Sequence, residues 1–189
     1  MRAIALAITA SLLMLGACDN AAEQQDADDL PGTPKMATDA PGSIRLTGPE
    51  ITVMGPMGAT LGNNAPRDQV EAELAKSLGP VAERGRNEEC GAGPVESSRF
   101  DGGLTINFQD GRMAGWVLEQ GDADIATKDG GITVGSSFAE LDAAYTVELV
   151  DSTLGDEFTT GEGINGFLTG EGDARTVESL YAGTTCFFR

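Results

Sequence analysis

The sequence predicts an α+β domain over residues 44–189: an antiparallel sheet with amphipathic helices packed on one face. Three observations lead there. Glycine is abundant, at 26 of 189 residues, and aromatics make up only 5%, which suits many turns and a modest core. Short β-branched or alternating segments are each bounded by turn residues. Helical periodicity falls at corresponding places in two loosely similar units, about 44–119 and about 125–189. The expected order in each unit is β-α-β-β, with one helix per unit.

The chain opens with Arg2 and then the apolar stretch Ala3 to Leu15. Such a stretch is too short to cross a ~30 Å hydrocarbon core, which needs about 20 residues, and it fits the h-region of a secretory signal. It ends in Leu15-Gly16-Ala17-Cys18, which resembles the lipobox of bacterial lipoprotein precursors. The resemblance implies that residues 1–17 are removed and that Cys18 becomes the first residue. Its thiol then takes a diacylglyceryl thioether and its amine an acyl chain such as palmitate. Two or more chains anchor a protein stably to a bilayer. Asp19 resembles the inner-membrane retention signal of enteric bacteria. The resemblance implies a cell-envelope protein facing the periplasm.

Residues 18–43 carry the lipidated cysteine and then Asp, Gln, Ala and Pro without apolar period, the composition of a disordered acidic tether. As a flexible coil of about 25 residues it reaches ~25–30 Å.

In the first unit, Ile51-Thr52-Val53 followed by Gly55 reads as a short strand and turn. Pro66 can open a helix, Val70, Leu74 and Leu78 form one apolar stripe, and Gly79-Pro80 stops it. Leu104, Ile106 and Phe108 then alternate with polar residues, Asp110-Gly111 signals a turn, and Met113 to Leu118 returns. In the second unit, Ile132-Thr133-Val134 reads as a strand before Gly135. Ser137 and Glu140 match a capping box, and Phe138, Leu141 and Tyr145 share a helix face. Ile164 to Leu168 then pairs with Thr176 to Tyr181 across a Gly/Asp-rich turn.

The run Ile125-Ala126-Thr127, Gly131-Ile132-Thr133-Val134-Gly135-Ser136-Ser137, Glu140 and Tyr145 resembles a pattern in small uncharacterised secreted bacterial proteins. So do the C-terminal strand, the Ala182-Gly183 step and Cys186. That resemblance covers roughly residues 100–189 and implies no activity. The tandem helix-on-sheet plan is also similar to the outer-membrane assembly lipoprotein SmpA and to β-lactamase inhibitor proteins. Those bind other proteins.

Charge and residue types limit the chemistry. The formal net charge is -18; losing residues 1–17 removes only Arg2, leaving 11 basic against 30 acidic residues, or -19. Such a field repels phosphate backbones and anionic headgroups, so nucleic acid is not an expected partner. Solubility or salty surroundings account for the acidity most simply, with a Ca²⁺ site or a cationic partner as alternatives. Histidine is absent, which excludes Ser-His-Asp and Cys-His catalysis and removes the commonest transition-metal ligand.

Cys90 and Cys186 are the remaining thiols of the body. In an oxidising compartment they most simply form a disulfide, and two free thiols, one of them reactive, are the alternative. Gly161-Glu162-Gly163-Ile164-Asn165-Gly166 matches G-x-G-x-x-G, but it lacks the strand before and the helix after that a dinucleotide site needs, and Glu162 opposes a pyrophosphate. Asp122-Ala123-Asp124 and Asp129-Gly130 hint at a calcium loop but lack EF-hand spacing; a solvated loop is the simpler reading. Trp116 and Phe108 are core residues or, less simply, a binding platform.

The expectation is a membrane-anchored lipoprotein, with no cofactor and no catalytic residue, whose domain is a non-catalytic binding or envelope module with a possible envelope protein partner. A carboxylate-dependent hydrolase acting on envelope glycans is the alternative.

Overall fold

The computed structural model describes residues 40–121 and 124–187. Cys18, Asp19, the stretch read as a signal and most of the stretch read as a tether lie outside them, as do Asp122 and Ala123.

The hairpin read from Leu104 to Leu118 is the centre of the architecture. β6 (Leu104–Gln109) and β7 (Arg112–Leu118) are joined at Asp110 and Gly111, with φ of 51° and 72°. That double left-handed turn is what an Asp-Gly pair supplies, and its twist matches that of the flanking strands. Ile106 pairs with Trp116, and Leu104 with Leu118, and all four are fully buried on one face.

β4 (Glu83–Asn87) and β5 (Val95–Arg99) extend this hairpin on one side. On the other side β7 meets β12 (Thr176–Gly183), followed by β11 (Asn165–Thr169), β10 (Gly155–Thr160) and β9 (Val147–Ser152). The sheet order is therefore β4-β5-β6-β7-β12-β11-β10-β9. Two four-stranded antiparallel meanders are joined by their last strands. The expected pairing of Ile164–Leu168 with Thr176–Tyr181 is the β11–β12 hairpin, with Asn165 opposite Tyr181 and Leu168 opposite Val177.

A second sheet of four strands, ordered β3-β2-β1-β8, contains β1 (Ile44–Leu46), β2 (Glu50–Val53), β3 (Thr60–Gly62) and β8 (Ile125–Thr127). Ile44, Leu46, Ile51, Val53, Leu61 and Ile125 from this sheet share one core with Phe108, Trp116 and Leu118. The Trp116 indole N–H donates to the Thr47 carbonyl at 2.9 Å, which pins the small sheet to the large one.

The helices are α1 (Arg67–Leu78) and α2 (Phe138–Ala144). Pro66 stands one position before the helix, Val70 and Leu74 are buried, and Leu78 packs at the core margin. α2 begins with the expected capping box: the Glu140 amide donates to Ser137 Oγ at 3.2 Å, and the Ser137 amide to Glu140 Oε2 at 2.7 Å.

These facts correct the α+β expectation. Among the described residues the protein is mostly β: twelve strands in two sheets, with two short helices. In place of β-α-β-β units, each helix precedes a four-stranded meander. The reason is coverage. Eight strands at ~4.8 Å make a sheet about 38 Å wide, whereas two helices ~10 Å across cover roughly half of it. The small sheet covers the rest.

A second correction concerns Ile132-Thr133-Val134, which forms a turn and no strand. Gly130, Gly131 and Gly135 take positive φ around it, and Ile132 folds back on Thr127: the Thr127 amide donates to the Ile132 carbonyl at 2.8 Å, and the Ile132 amide to Thr127 Oγ1 at 2.9 Å. The strand is instead Ile125–Thr127, parallel to β1.

At the β4–β5 end the inner face of the sheet is polar. Arg67 donates to Glu71 Oε1 at 2.8 Å, to Glu96 Oε2 at 3.1 Å and to Ser98 Oγ at 3.1 Å, and stands 5.1 Å from the Phe108 ring centroid. Ser98 donates to Glu71 Oε1 at 2.6 Å, and Arg84 to Glu71 Oε2 at 2.7 Å. Burial works to raise the Glu71 carboxyl, but the hydrogen bonds from Arg84, Ser98 and Arg67 outweigh it and lower its pKa from 4.5 to about 2. A depressed carboxyl stabilises the fold fully above its unfolded pKa, and that stabilisation is lost as pH falls toward the folded value. Glu71→Gln should therefore cost about 1 kcal/mol at pH 7, where partial exposure limits the gain. The gap to the natural protein should close between pH 5 and pH 2 in chemical denaturation.

Candidate functional site

The large sheet buries one face and leaves the other open. The open face carries a row of directly paired residues from edge to edge: Glu83, Arg99, Thr105, Val117, Tyr181, Asn165, Thr159 and Glu148. The neighbouring row, Gly85, Ser97, Asn107, Gly115 and Gly183, is nearly bare of bulk over its central strands.

That bareness lets the segment after β12 cross the face. The Thr184 amide donates to the Ala114 carbonyl at 2.8 Å, and Asn107 Nδ2 donates to the Thr184 carbonyl at 2.9 Å. A Cβ on Gly115 would meet the Ala182 oxygen at 2.6 Å and Thr184 backbone atoms at 2.7 Å, so no other residue fits there unless the backbone moves.

The strap ends in the disulfide between Cys90 and Cys186, with Cα atoms 5.2 Å apart. Cys90 lies in the β4–β5 loop, which Gln109 also holds by donating to the Ala92 carbonyl at 2.8 Å. Phe187 then packs edge-on against Phe167 and Tyr181, ring centroids 5.5 and 5.0 Å apart, and Tyr181 donates its hydroxyl proton to the buried Glu157 carboxylate. Three rings this close leave no gap for a cation between them; the cluster is packing.

Beside the strap lies an open groove of about 310 Å³, lined among others by Glu83, Arg99, Thr105, Val117, Glu119 and Phe187. Its lining is evenly polar and apolar in character. Arg99 Nη1 meets Glu119 Oε2 at 3.1 Å, an ion pair exposed enough to exchange for a ligand group at small cost. Glu83 stands on β4, and Glu119 follows directly after β7, paired with Arg99 of β5.

The other candidates resolve as structure. Trp116 and Phe108 are fully buried core. The G-x-G-x-x-G run covers the turn between β10 and β11 and the start of β11; a strand does precede it, against the expectation, but a strand also follows where a nucleotide site needs a helix. The Asp129 carbonyl accepts from Thr127 Oγ1 at 2.7 Å and from the Tyr145 hydroxyl at 2.8 Å, which makes it part of the turn. Among the described residues no three or more metal-binding side chains cluster. Sequence reading missed the groove, because its lining is spread over four strands, two of which, β4 and β5, show no apolar alternation. No family model, curated protein or solved structure matches the chain.

Replacing Gly115 by Ala should cost about 2 kcal/mol or more, because backbone atoms must shift to admit the Cβ. Replacing both Cys90 and Cys186 by Ser should cost about 2–4 kcal/mol. Guanidinium denaturation of each variant against the natural protein measures both.

Proposed function

We propose that this chain is a membrane-anchored bacterial lipoprotein serving as a non-catalytic binding module of the cell envelope, which offers the open face of its large sheet to an envelope partner. The observation that carries this reading is the contrast between the two faces of the sheet. One is covered by two helices and a second sheet, while the other keeps a paired row of mixed side chains and a groove open beside the strap. Shallow, mixed-polarity surfaces on rigid strands suit protein recognition, where apolar contact and rim charges act together. The Cys90–Cys186 disulfide fits an oxidising compartment outside the cytoplasm. The lipobox at residues 15–18 supports the anchor, and the acidic tether supports a domain held away from the bilayer.

Two experiments test it. In the native host, the natural protein should partition into detergent and carry acyl mass at Cys18, and Cys18→Ser should do neither; an unmodified Cys18 would end the lipoprotein reading. A photo-crosslinking residue placed at Thr105, in the groove, should trap one defined partner in cells, while the same group at the exposed Asp142 on α2 should not. Arg99→Glu should weaken the Thr105 crosslink several-fold. Equal crosslinking from both sites, or none from Thr105, would remove the open face from the reading.

A further inference from the structure

The two edges of the large sheet are built differently. At β4, Arg84 and Arg86 stand on the edge strand in ion pairs with Glu71, Glu88 and Glu96. Long charged side chains are how natural sheets block the addition of a further strand. β9 has no lysine, arginine or proline. It pairs with β10 on one side, and among the described residues no strand pairs with its other side. In an antiparallel ladder alternate residues turn both N–H and C=O away from the partner, so β9 presents, among the described residues, a row of backbone groups with no strand partner along that side.

The side chains around this edge have a definite chemistry. β9 runs past the layer that covers the sheet: Leu149 faces the fully buried Phe158 across the pair, yet is 55% exposed, and Leu154 in the following turn is 40% exposed. Asp151 lies directly opposite Asp156 with both side chains on one face, a like-charge pairing that destabilises a sheet unless something cationic sits beside it. Glu148 adds a further negative charge on the other face. The whole of residues 125–187 holds only Lys128 and Arg175 as basic residues.

We propose that β9 is a strand-addition site for an extended, basic and β-branched segment of another protein. The added strand supplies backbone hydrogen bonds to β9, an apolar side chain against Leu149, and lysine or arginine beside the Asp151–Asp156 pair and Glu148. A second copy of this chain is a poor occupant, because self-pairing would set two acidic strands side by side with no basic residue on either. This deepens the binding-module reading and rests on it, since it names the chemistry of one partner at a surface separate from the groove.

The test uses the full chain in a non-ionic detergent and a capped fluorescent peptide, Gly-Thr-Lys-Val-Val-Lys-Val-Gly, whose central six residues complement Ser152 to Val147 in antiparallel register. The peptide should bind by fluorescence anisotropy and slow amide hydrogen exchange over residues 147–152. Binding should weaken at least about tenfold with alternate backbone amides methylated, at least about tenfold with both lysines replaced by glutamate, and about tenfold in the Asp151→Asn, Asp156→Asn double variant. That variant relieves a repulsion, so its fold should be retained. No binding, equal binding of the methylated peptide, or protection confined to the groove would overturn the proposal. The Thr105 crosslink should persist in the double variant; its presence without peptide binding sinks the strand-addition site alone.

Discussion

β7 and β12 lie side by side at the centre of the large sheet, and the rest of the molecule is arranged around that contact. On the inner face it sets Leu118 beside Leu180 and Trp116 beside Ala182, all fully buried. On the open face it sets Gly115 beside Gly183. The small Ala182 leaves room for the Trp116 indole, which in turn reaches the Thr47 carbonyl and seats the small sheet. The glycine pair lets the strap cross and brings Cys186 to Cys90. One strand pairing therefore joins two meanders, orients the second sheet and positions the disulfide. A bulkier residue at either face of this seam would disturb elements far away in sequence.

Local signals in the sequence were reliable where a short stretch had to satisfy its own backbone. Asp110-Gly111 makes its turn, Ser137 and Glu140 close their box, Gly79 ends α1, and the two cysteines meet. What could not be read locally was coverage. Glu83-Arg84-Gly85-Arg86-Asn87 carries no apolar residue, because β4 is an exposed edge. β5 hides its period because its inward residues, Glu96 and Ser98, meet Arg67 in a polar network in place of a hydrophobic core. β9 hides its period in exposed acidic residues, and β10 in the buried Glu157 that Tyr181 bonds. Ile132-Thr133-Val134 has strand composition, but the flanking glycines and Thr127 turn it into a loop. Eight strands emerge only when these weak segments are counted, and with eight strands two short helices no longer suffice.

The site was less legible than the fold. The Cys90–Cys186 pairing was open to reading because few thiols compete. The groove was not, since Glu83, Arg99, Thr105 and Val117 come from four strands and Glu119 from just beyond the last of them, and none belongs to a motif. Register across a sheet is a tertiary property, and only the pairing of strands puts these residues in one row.

The position of β12 also has a bearing on how the chain reaches its folded form. It is the last strand in chain order, yet it occupies the middle of the sheet. While a chain emerges from its N-terminal end, the edge of β7 lacks its backbone partner until the residues of β12 arrive. Such late, non-local closure slows folding and leaves sticky intermediates that chaperones recognise. A chain paused before residue 176 leaves the central seam of its sheet open, with the two meanders still unjoined.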